Sequence, residues 1–498
     1  MKQCSTLMLV CLGALWTQGC IEQSPTMDSD GREAEFGDEA GVTGGVPALS
    51  EPQDDMPTGG SDQAEDEDDE DEAYERPRVA VQVAVGSGYT CALLDDGLRE
   101  GTVKCWGVGE ALGLGDDEPM GDEPGEMGNA LPALDFGADA VVTQLTAGFR
   151  HTCALFEGGR AKCWGSNDWG SLGRGHDDNN HGAEPGHTLG DDDPFIDLGS
   201  SGTVVQLAAG GSHTCALIDD GFRGGIIKCW GDNQMRQLGL NTYDPRGERP
   251  RDMGDNLPPV DLGTGQSAIQ VTAGSVHTCA LLESGHIKCW GLESYAYEGA
   301  SPSPLGDALP FIDLGPGRTA VQIDARGLHT CALLDDGSVK CWGSNSHGQL
   351  GQGHRQNLGE GTAPSSDIPP IDLGTGRTAL RITAGRLHNC ALLDDHSIKC
   401  WGSNYSGRLG LGIPGEFRGA EPGEMGDALP PVDLGTGHTA VDVVAGEEHT
   451  CVLFEEGAIK CWGDNSFGQL GQNDRLARGA EASEMGHALR VIDLGTTP

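Results

Sequence analysis

The chain has 498 residues, a formal net charge of −46 at pH 7, 80 glycines, 26 prolines and few aromatic residues. Frequent glycine and proline favour many tight turns between short strands, and no stretch shows a sustained helical period. The negative charge argues against docking on a phosphate backbone, which needs clustered Lys and Arg, so we expect no nucleic-acid partner.

The N-terminus, residues 1–19, has the pattern of an export signal. A basic start precedes an apolar run over 7–16 that is too short to span a bilayer, and a small residue then precedes Cys20. This box resembles that of bacterial lipoproteins, in which Cys20 becomes the lipidated first residue, although Thr17 stands where leucine is usual. Ile21 is not the aspartate that usually retains such proteins at the inner membrane. We therefore expect a lipid anchor at the outer membrane or cell surface; secretion, a periplasmic location or an ordinary Cys20 are the alternatives.

Residues 21–78 have the composition of a disordered acidic linker. The segment is rich in Asp, Glu, Gly, Pro and Ser, and every residue of 65–72 is acidic. It cannot bury enough apolar surface to offset its ordering entropy. We predict a flexible tether that holds a folded head clear of a membrane, with a calcium-attracting or partner-binding tail as the alternative.

From residue 79 to residue 498 the sequence repeats itself seven times, with a period of roughly 50 to 65 residues. One copy has TAVQIDA at 319–325, LHTCALL at 328–334 and SVKCWG at 338–343, followed by SNSHGQLGQG and by PPIDLGTG at 369–376. Alternating apolar and polar positions predict short strands, and Asp-Gly and Gly-Thr-Gly strings predict the turns. We therefore predict an all-β fold, a seven-bladed β-propeller of about four antiparallel strands per blade.

The string A-G-x-x-H-T-x-A-L, a turn, and then x-W-G-x-N-x-x-G-Q-L-G resembles the repeat of the regulator of chromosome condensation family. The resemblance implies the propeller fold but leaves function open, because the same propeller carries a nuclear guanine-nucleotide exchange factor, secreted β-lactamase inhibitors and bacterial surface proteins. If each VIDLG-type strand belongs to the copy that follows, the strand at 491–495 pairs onto the first copy and latches the ring.

Outside the export signal, every cysteine belongs to one of seven pairs that flank a hairpin turn. The separation is ten residues in five pairs and fourteen in two, and an even insertion keeps the two cysteines opposite each other on one face. Facing cysteines in an exported protein predict disulfides, with zinc sites formed with neighbouring histidines or reduced core thiols as alternatives. The pairs are Cys91 with Cys105, Cys153 with Cys163, Cys215 with Cys229, Cys279 with Cys289, Cys331 with Cys341, Cys390 with Cys400, and Cys451 with Cys461.

A tryptophan follows the second cysteine of each pair, and in six copies a histidine stands two positions before the first cysteine, with Tyr89 in its place in the first copy. Because these residues recur at fixed positions, we interpret them as packing between blades rather than as a ligand-stacking ring or catalytic bases. They are Trp106, Trp164, Trp230, Trp290, Trp342, Trp401 and Trp462, and His151, His213, His277, His329, His388 and His449.

No phosphate-binding, nucleophile-elbow or zinc-protease motif is present in the sequence. We therefore expect a monomeric, non-enzymatic binding or scaffold module without cofactor or metal, which presents one propeller face to a surface protein or glycan. The alternative is an enzyme, a hydrolase or lyase, with its site in the central funnel. Guanine-nucleotide exchange follows from the family name alone, and export and paired cysteines count against it.

The loops after the G-Q-L-G segments vary most between copies and should gather on one rim, where a rigid scaffold carries specificity. The fourth copy departs most, with LESYAY at 292–297. Exposed aromatic and arginine side chains are typical anchors of interfaces. The predicted partner-binding residues are Trp169, Tyr243, Arg246, Tyr295, Tyr297, Tyr405, Phe417 and Arg418.

Overall fold

The computed structural model describes residues 78–95, 100–138, 140–176, 181–183, 189–222, 224–292, 305–359, 367–413 and 415–496. The predicted export signal, Cys20 and the acidic linker up to residue 77 lie outside the described residues, as do Tyr295 and Tyr297. Among the residues described, no helix is long and apolar enough to cross a membrane.

The described part of the chain is built from seven units of three antiparallel strands, each with an inner, a central and a third strand. The first unit comprises β1 (Val79–Val85), β2 (Tyr89–Asp95) and β3 (Glu100–Gly107). The others are β4 (Val142–Ala147), β5 (His151–Phe156) and β6 (Arg160–Gly165); β7 (Thr203–Ala209), β8 (His213–Asp219) and β9 (Gly225–Gly231); β10 (Ala268–Ala273), β11 (His277–Leu282) and β12 (Ile287–Gly291); β13 (Ala320–Arg326), β14 (His329–Leu334) and β15 (Val339–Gly343); β16 (Ala379–Ala384), β17 (His388–Leu393) and β18 (Ile398–Ser403), with a short β19 (Phe417–Arg418); and β20 (Ala440–Ala445), β21 (His449–Phe454) and β22 (Ile459–Gly463).

The inner strands contact one another in a closed ring, in which β1 touches both β4 and β20. The central strands are buried along nearly their whole length, and the hydrophobic clusters lie between neighbouring blades. The third and fourth blades share one six-stranded sheet through a single pairing of Ala268 with Gly225. The predicted all-β propeller is therefore confirmed.

The fourth strand of a blade is much shorter than the sequence suggests. In the sixth blade β19 pairs with β18 over two residues, and in other blades a single bridge such as Gly343 with Leu358 takes its place. The I-D-L-G segments, predicted as strands, form no ladder: Ile371 N donates to Val339 O at 2.8 Å, and the chain then turns. The turn forms because the Asp372 carboxylate accepts a hydrogen bond from the backbone of Gly374.

The C-terminal segment lies between the seventh blade and the first. Ile492 N donates to Ile459 O of β22 at 2.9 Å, while Lys104 Nζ of β3 donates to Leu494 O at 2.9 Å. These contacts are those expected if residues 491–495 latch the ring.

Removal of residues 489–498 should therefore destabilise the propeller far more than removal of 497–498 alone. Leu489, Ile492 and Leu494 are 1, 4 and 6% exposed, and loss of each buried aliphatic side chain costs about 2–5 kcal/mol. Urea or thermal unfolding of the two deletion variants measures the difference. Equal midpoints for the two variants would show that the C-terminal segment is an ordinary tail.

Candidate interaction surface

Each of the seven predicted cysteine pairs forms a disulfide that joins the central strand of a blade to its third strand, with Cα atoms 4.1 Å apart. The pairs separated by fourteen residues keep the direct register of the others, as Cys91 and Cys105 do. The cysteines are buried. Within the described ranges, no group of three or more His, Cys, Asp or Glu residues is arranged to hold a metal ion.

The recurrent histidines link each blade to the next. His151 Nε2 lies 2.9 Å from the Thr214 hydroxyl of the following blade. In the first blade the Tyr89 hydroxyl donates to His151 O at 2.6 Å instead. The corresponding links complete all seven seams between blades: His213 with Thr278, His277 with Thr330, His329 with Asn389, His388 with Thr450, and His449 with Thr90.

The recurrent tryptophans are buried at the same seams. Trp462 Nε1 donates to Arg408 O of the preceding blade at 3.0 Å, and the Thr450 hydroxyl donates to the same carbonyl at 2.9 Å. Trp106, Trp230 and Trp290 repeat this arrangement with Thr90, Thr214 and Thr278. Both sets of aromatic residues therefore serve packing between blades, as interpreted from the sequence.

Burial keeps the seam histidines neutral, because desolvation disfavours the imidazolium. At His449, Arg326 and Arg408 add electrostatic repulsion to the effect of burial. Burial lowers the pKa to about 4 for His151, His277 and His329, and to about 3 for His213 and His449. Burial also lowers the pKa of His388 well below its usual range.

Seven buried lysines, one in each blade, were not predicted from the sequence. Lys228 Nζ donates to Leu198 O at 2.8 Å and to Gly254 O at 3.1 Å, so it joins the third strand of one blade to the I-D-L-G segment before it and to a loop after it. Burial lowers the pKa of Lys228, and the nearby carboxylates of Asp255 and Asp197 oppose the shift. The signal was present, since lysine precedes the second cysteine in every copy: Lys104, Lys162, Lys228, Lys288, Lys340, Lys399 and Lys460.

The propeller presents two rims, because successive strands of a blade run in opposite directions. One rim carries the loops between inner and central strands, such as 327–328, together with the N-x-x-G segments that follow the third strands. We call it the N-x-x-G rim; its segments are residues 167–170, 233–236, 345–348, 404–407 and 465–468, with arginine replacing the glycine in the second of these. The opposite rim carries the turns between central and third strands, such as 335–338, and we call it the hairpin rim.

Large side chains are exposed at equivalent positions of the N-x-x-G rim. Trp169, Met235 and Phe467 occupy the third position of their segments and are 45, 44 and 44% exposed. Tyr405 occupies the second position and is 73% exposed. Trp169 has a φ of 62°, a left-handed conformation that is unusual for so bulky a residue. Sequence reasoning found Trp169 and Tyr405 but missed the other two, although their repeat positions gave the signal.

The remaining predicted residues within the described ranges lie in the loops that follow. Tyr243 is half exposed beneath the Arg236 guanidinium, 4.2 Å from the ring centroid. Arg246 bridges to Gly231 through the backbone. Their role in binding stays a prediction.

A small aromatic and cationic cluster forms around Phe417. The Arg355 guanidinium lies 4.4 Å from the centre of the Phe417 ring, and His347 of the fifth blade lies 5.4 Å from it. Arg418 is half-buried and donates to Phe417 O at 2.7 Å, which orders this part of the loop. The cluster joins residues about 70 positions apart, so spacing alone gave no sign of it.

The seven inner strands line a central channel of about 250 Å³. In five blades a glutamine amide pairs with the backbone of the next inner strand: Gln82 Nε2 donates to Leu145 O at 2.9 Å, and Gln82 Oε1 accepts from Leu145 N at 2.8 Å. In the other two blades Arg381 and Asp442 stand in its place, 3.8 Å apart. The side chains thus cover strand edges that would otherwise be unpaired.

Arg326 closes the channel at the N-x-x-G rim. It stands where the other blades have glycine, and its guanidinium donates to Ala147 O at 3.2 Å and to Ala445 O at 3.5 Å. Arg326 Nε also lies 3.2 Å from the buried Glu447 carboxylate. One side chain of the fifth blade therefore reaches the second and seventh blades across the axis.

Two family models, both described as the regulator of chromosome condensation (RCC1) repeat, match this chain. One matches residues 142–170, 268–296, 321–349, 381–408 and 440–469. The other matches residues 159–217, 227–281 and 336–392. Together the matched ranges cover more than half of the chain.

Several characterised proteins are similar over much of the chain. The ultraviolet-B receptor UVR8 of Arabidopsis thaliana is 28% identical over 82% of this chain and 82% of its own. The E3 ubiquitin-protein ligase HERC2 of Homo sapiens is 27% identical over 63% of this chain, which spans only 6% of that protein. Protein pim1 of Schizosaccharomyces pombe is 26% identical over 67% of this chain and 61% of its own.

Solved structures confirm the fold. Human WBSCR16 has a TM-score of 0.55 at 21% identity and covers 75% of this chain and 86% of its own. Yeast RCC1 (Prp20), in its complex with Kap60, has a TM-score of 0.55 at 20% identity and covers 86% of this chain and 90% of its own.

The free energy of unfolding should fall as the pH is lowered from about 6.5 towards 4. A buried histidine with a depressed pKa stays neutral in the fold while the unfolded chain takes up its proton, so its contribution is present above pH 6.5 and is lost on acidification. Each such histidine adds a slope of about 1.4 kcal/mol per pH unit. Urea unfolding between pH 7.5 and pH 4.5 measures the total.

The His277→Gln variant isolates the contribution of one histidine. Its unfolding free energy should depend on pH less steeply than that of the native chain by one histidine's share, whatever its overall stability. Carboxylate titrations are common to both chains and cancel in the difference. If the unfolding free energies of the two chains depended equally on pH, the claim that His277 is held neutral at its seam would be wrong.

Proposed function

Because the chain belongs to the regulator of chromosome condensation (RCC1) repeat family, whose fold serves several functions, we propose that it is an exported, non-enzymatic binding module that presents its N-x-x-G rim to a protein partner. The observation that carries the proposal is the row of large exposed side chains at the second or third position of the N-x-x-G segments. Exposed apolar residues scattered singly mean little, but their gathering in equivalent segments of one rim indicates a surface.

The chemistry of this rim suits a protein interface. Trp169, Tyr405, Met235 and Phe467 are of the aromatic and thioether types that anchor interface cores, and the loops around them add arginines such as Arg355. Among similar propellers, yeast Prp20 was solved bound to Kap60 and was studied for its binding to Gsp1p and histones. Protein binding by this chain is proposed on that background and on its own rim.

Export is supported by two features of the chain. The N-terminal pattern that ends at Cys20 is of the lipoprotein type. Seven disulfides suit an oxidising compartment, since cytosolic proteins rarely keep them. The same features count against guanine-nucleotide exchange, which would require a cytoplasmic or nuclear GTPase.

The double variant Trp169→Ala, Tyr405→Ala should lose its partner. Loss of one interface anchor that contributes about 2 kcal/mol weakens binding by about 30-fold, and loss of two such anchors weakens it by about 800-fold where their contributions add. The measurement is quantitative recovery of surface proteins on the immobilised native chain and on the variant. The matched control is Phe222→Ala on the hairpin rim, where the ring is 96% exposed. A partner that binds the double variant but not the control would place the binding surface on the hairpin rim and contradict the proposal.

Intact mass of the protein from its producing cells tests export. We expect a mature chain that starts at a lipidated Cys20, with all fourteen repeat cysteines alkylated only after reduction. An unprocessed chain with freely reactive repeat thiols would indicate a reducing compartment and would return guanine-nucleotide exchange to contention.

A further inference from the structure

The opposite, hairpin rim carries a ring of side chains, six aliphatic and one threonine, created by a bulge in every inner strand. In β13 the register shifts between Ala320 and Gln322, so Val321 is an extra residue without a partner in the central strand. A bulge re-aims the side chain of its extra residue. The same shift occurs in all seven inner strands, and its extra residues are Val81, Thr143, Val205, Ile269, Val321, Leu380 and Val441, which we call the collar.

Six of the seven collar residues are exposed although their neighbours are buried, and the seventh, Val441, is half-buried. Val205, Ile269 and Val321 are 50, 51 and 56% exposed. In contrast, the residues that flank the bulge, such as Ala320 and Ile323, pack between blades. The inner strands surround the channel and begin at the hairpin rim, so the collar rings the channel mouth at that rim. At the other rim the Arg326 guanidinium crosses the channel to the second and seventh blades.

The surface around the collar is strongly acidic. Each I-D-L-G segment contributes an exposed aspartate, and the turns between central and third strands contribute more carboxylates, while Arg318 and Arg377 are each engaged by two aspartates of a turn. The exposed carboxylates are Asp135, Asp197, Asp261, Asp313, Asp372, Asp433 and Asp493 in the I-D-L-G segments, and Glu157, Glu283, Asp335, Asp336, Asp394, Asp395, Glu455 and Glu456 in the turns.

We propose that the collar and the acidic ring form a second binding surface, which takes a positively charged, amphipathic segment of a partner protein. An apolar side chain of that segment enters the collar, and its Lys or Arg residues face the surrounding carboxylates. Opposite charges at the edge of an interface speed association and reject like-charged partners. The lining of the channel begins one position beyond the collar, at Gln82 and its equivalents, and the channel volume of about 250 Å³ suits one side chain or a chain end rather than a whole helix.

Charge decides between this occupant and two others. The chain's own segment 21–78 precedes β1 in the sequence, but its acidic run 65–72 carries the same charge as the carboxylates around the collar. A second copy would bring one acidic ring against another, which is repulsive as well. A cationic partner is the occupant that the surface attracts.

Binding of a fluorescein-labelled peptide of alternating leucine and lysine to the full chain tests the proposal by fluorescence anisotropy. A peptide of lysine and serine with the same charge, and one of leucine and glutamate, serve as controls. We expect the leucine–lysine peptide to bind most tightly, the lysine–serine peptide weakly and in a salt-sensitive way, and the leucine–glutamate peptide not at all.

The variant Ile269→Ser, Val321→Ser separates the collar from simple ion exchange. It leaves every charge in place, including those of the linker, so the lysine–serine peptide should bind it as it binds the native chain. The leucine–lysine peptide should bind about tenfold more weakly or worse, because apolar contacts are lost. Equal binding of that peptide to both chains, or no binding to the native chain, would overturn the proposal.

Two further measurements protect this conclusion. An unchanged unfolding midpoint shows that the collar variant keeps its fold, which half-exposed positions should allow; if the midpoint falls, the single change Leu380→Ser, at 48% exposure, replaces it. The Trp169→Ala, Tyr405→Ala variant should bind the leucine–lysine peptide as the native chain does. Loss of peptide binding in that variant would assign the peptide to the N-x-x-G rim and refute the collar.

Discussion

The structure depends on polar contacts that each blade cannot make alone. A sheet of three short strands cannot bury its two faces, and its histidine, tryptophan and lysine side chains would be left without partners. At each seam, hydrogen bonds from one blade end on the next, as with Trp462 and Thr450 on the carbonyl of Arg408. Unpaired buried polar groups are costly, so each blade depends on both of its neighbours for stability.

The contrast between residues at the seams and residues at the rims explains which positions of the repeat recur. Positions that face a seam recur in copy after copy, and so do the I-D-L-G aspartates and the collar positions of the hairpin rim, whereas the N-x-x-G segments and the loops after them vary. The two rims therefore differ in chemistry: large apolar and aromatic side chains lie at one end, and the collar lies among carboxylates at the other. Arg326 lies between the two rims. It replaces the glycine found at this position in the other blades, and its guanidinium crosses the channel.

The repeats predicted the propeller and the cysteine spacing predicted the disulfides, because both depend on the chain's local pattern. The prediction that the I-D-L-G segments are strands was wrong. Their apolar alternation resembles that of a strand, but the Asp372 carboxylate accepts a hydrogen bond from the Gly374 amide and the chain turns there. The recurrence of the lysines is visible in the sequence, but their carbonyl acceptors and the contacts of Phe417 are not, because these partners lie far away along the chain. The collar was hidden for another reason, since a bulge changes the direction of a side chain without changing the alternation.

The disulfides and the hydrogen bonds that close the ring join residues at very different separations in the sequence. The two cysteines of a disulfide are 10 or 14 residues apart. Both are therefore available for pairing as soon as their hairpin has been synthesised. Lys104, by contrast, finds its acceptor Leu494 only 390 residues later. Six seams can form in order while the chain lengthens, but the seventh waits for the last segment, and until then the first and last blades expose apolar faces that belong together. The time between the first hairpin and closure is when this protein is most exposed to proteases and to pairing with the wrong copy.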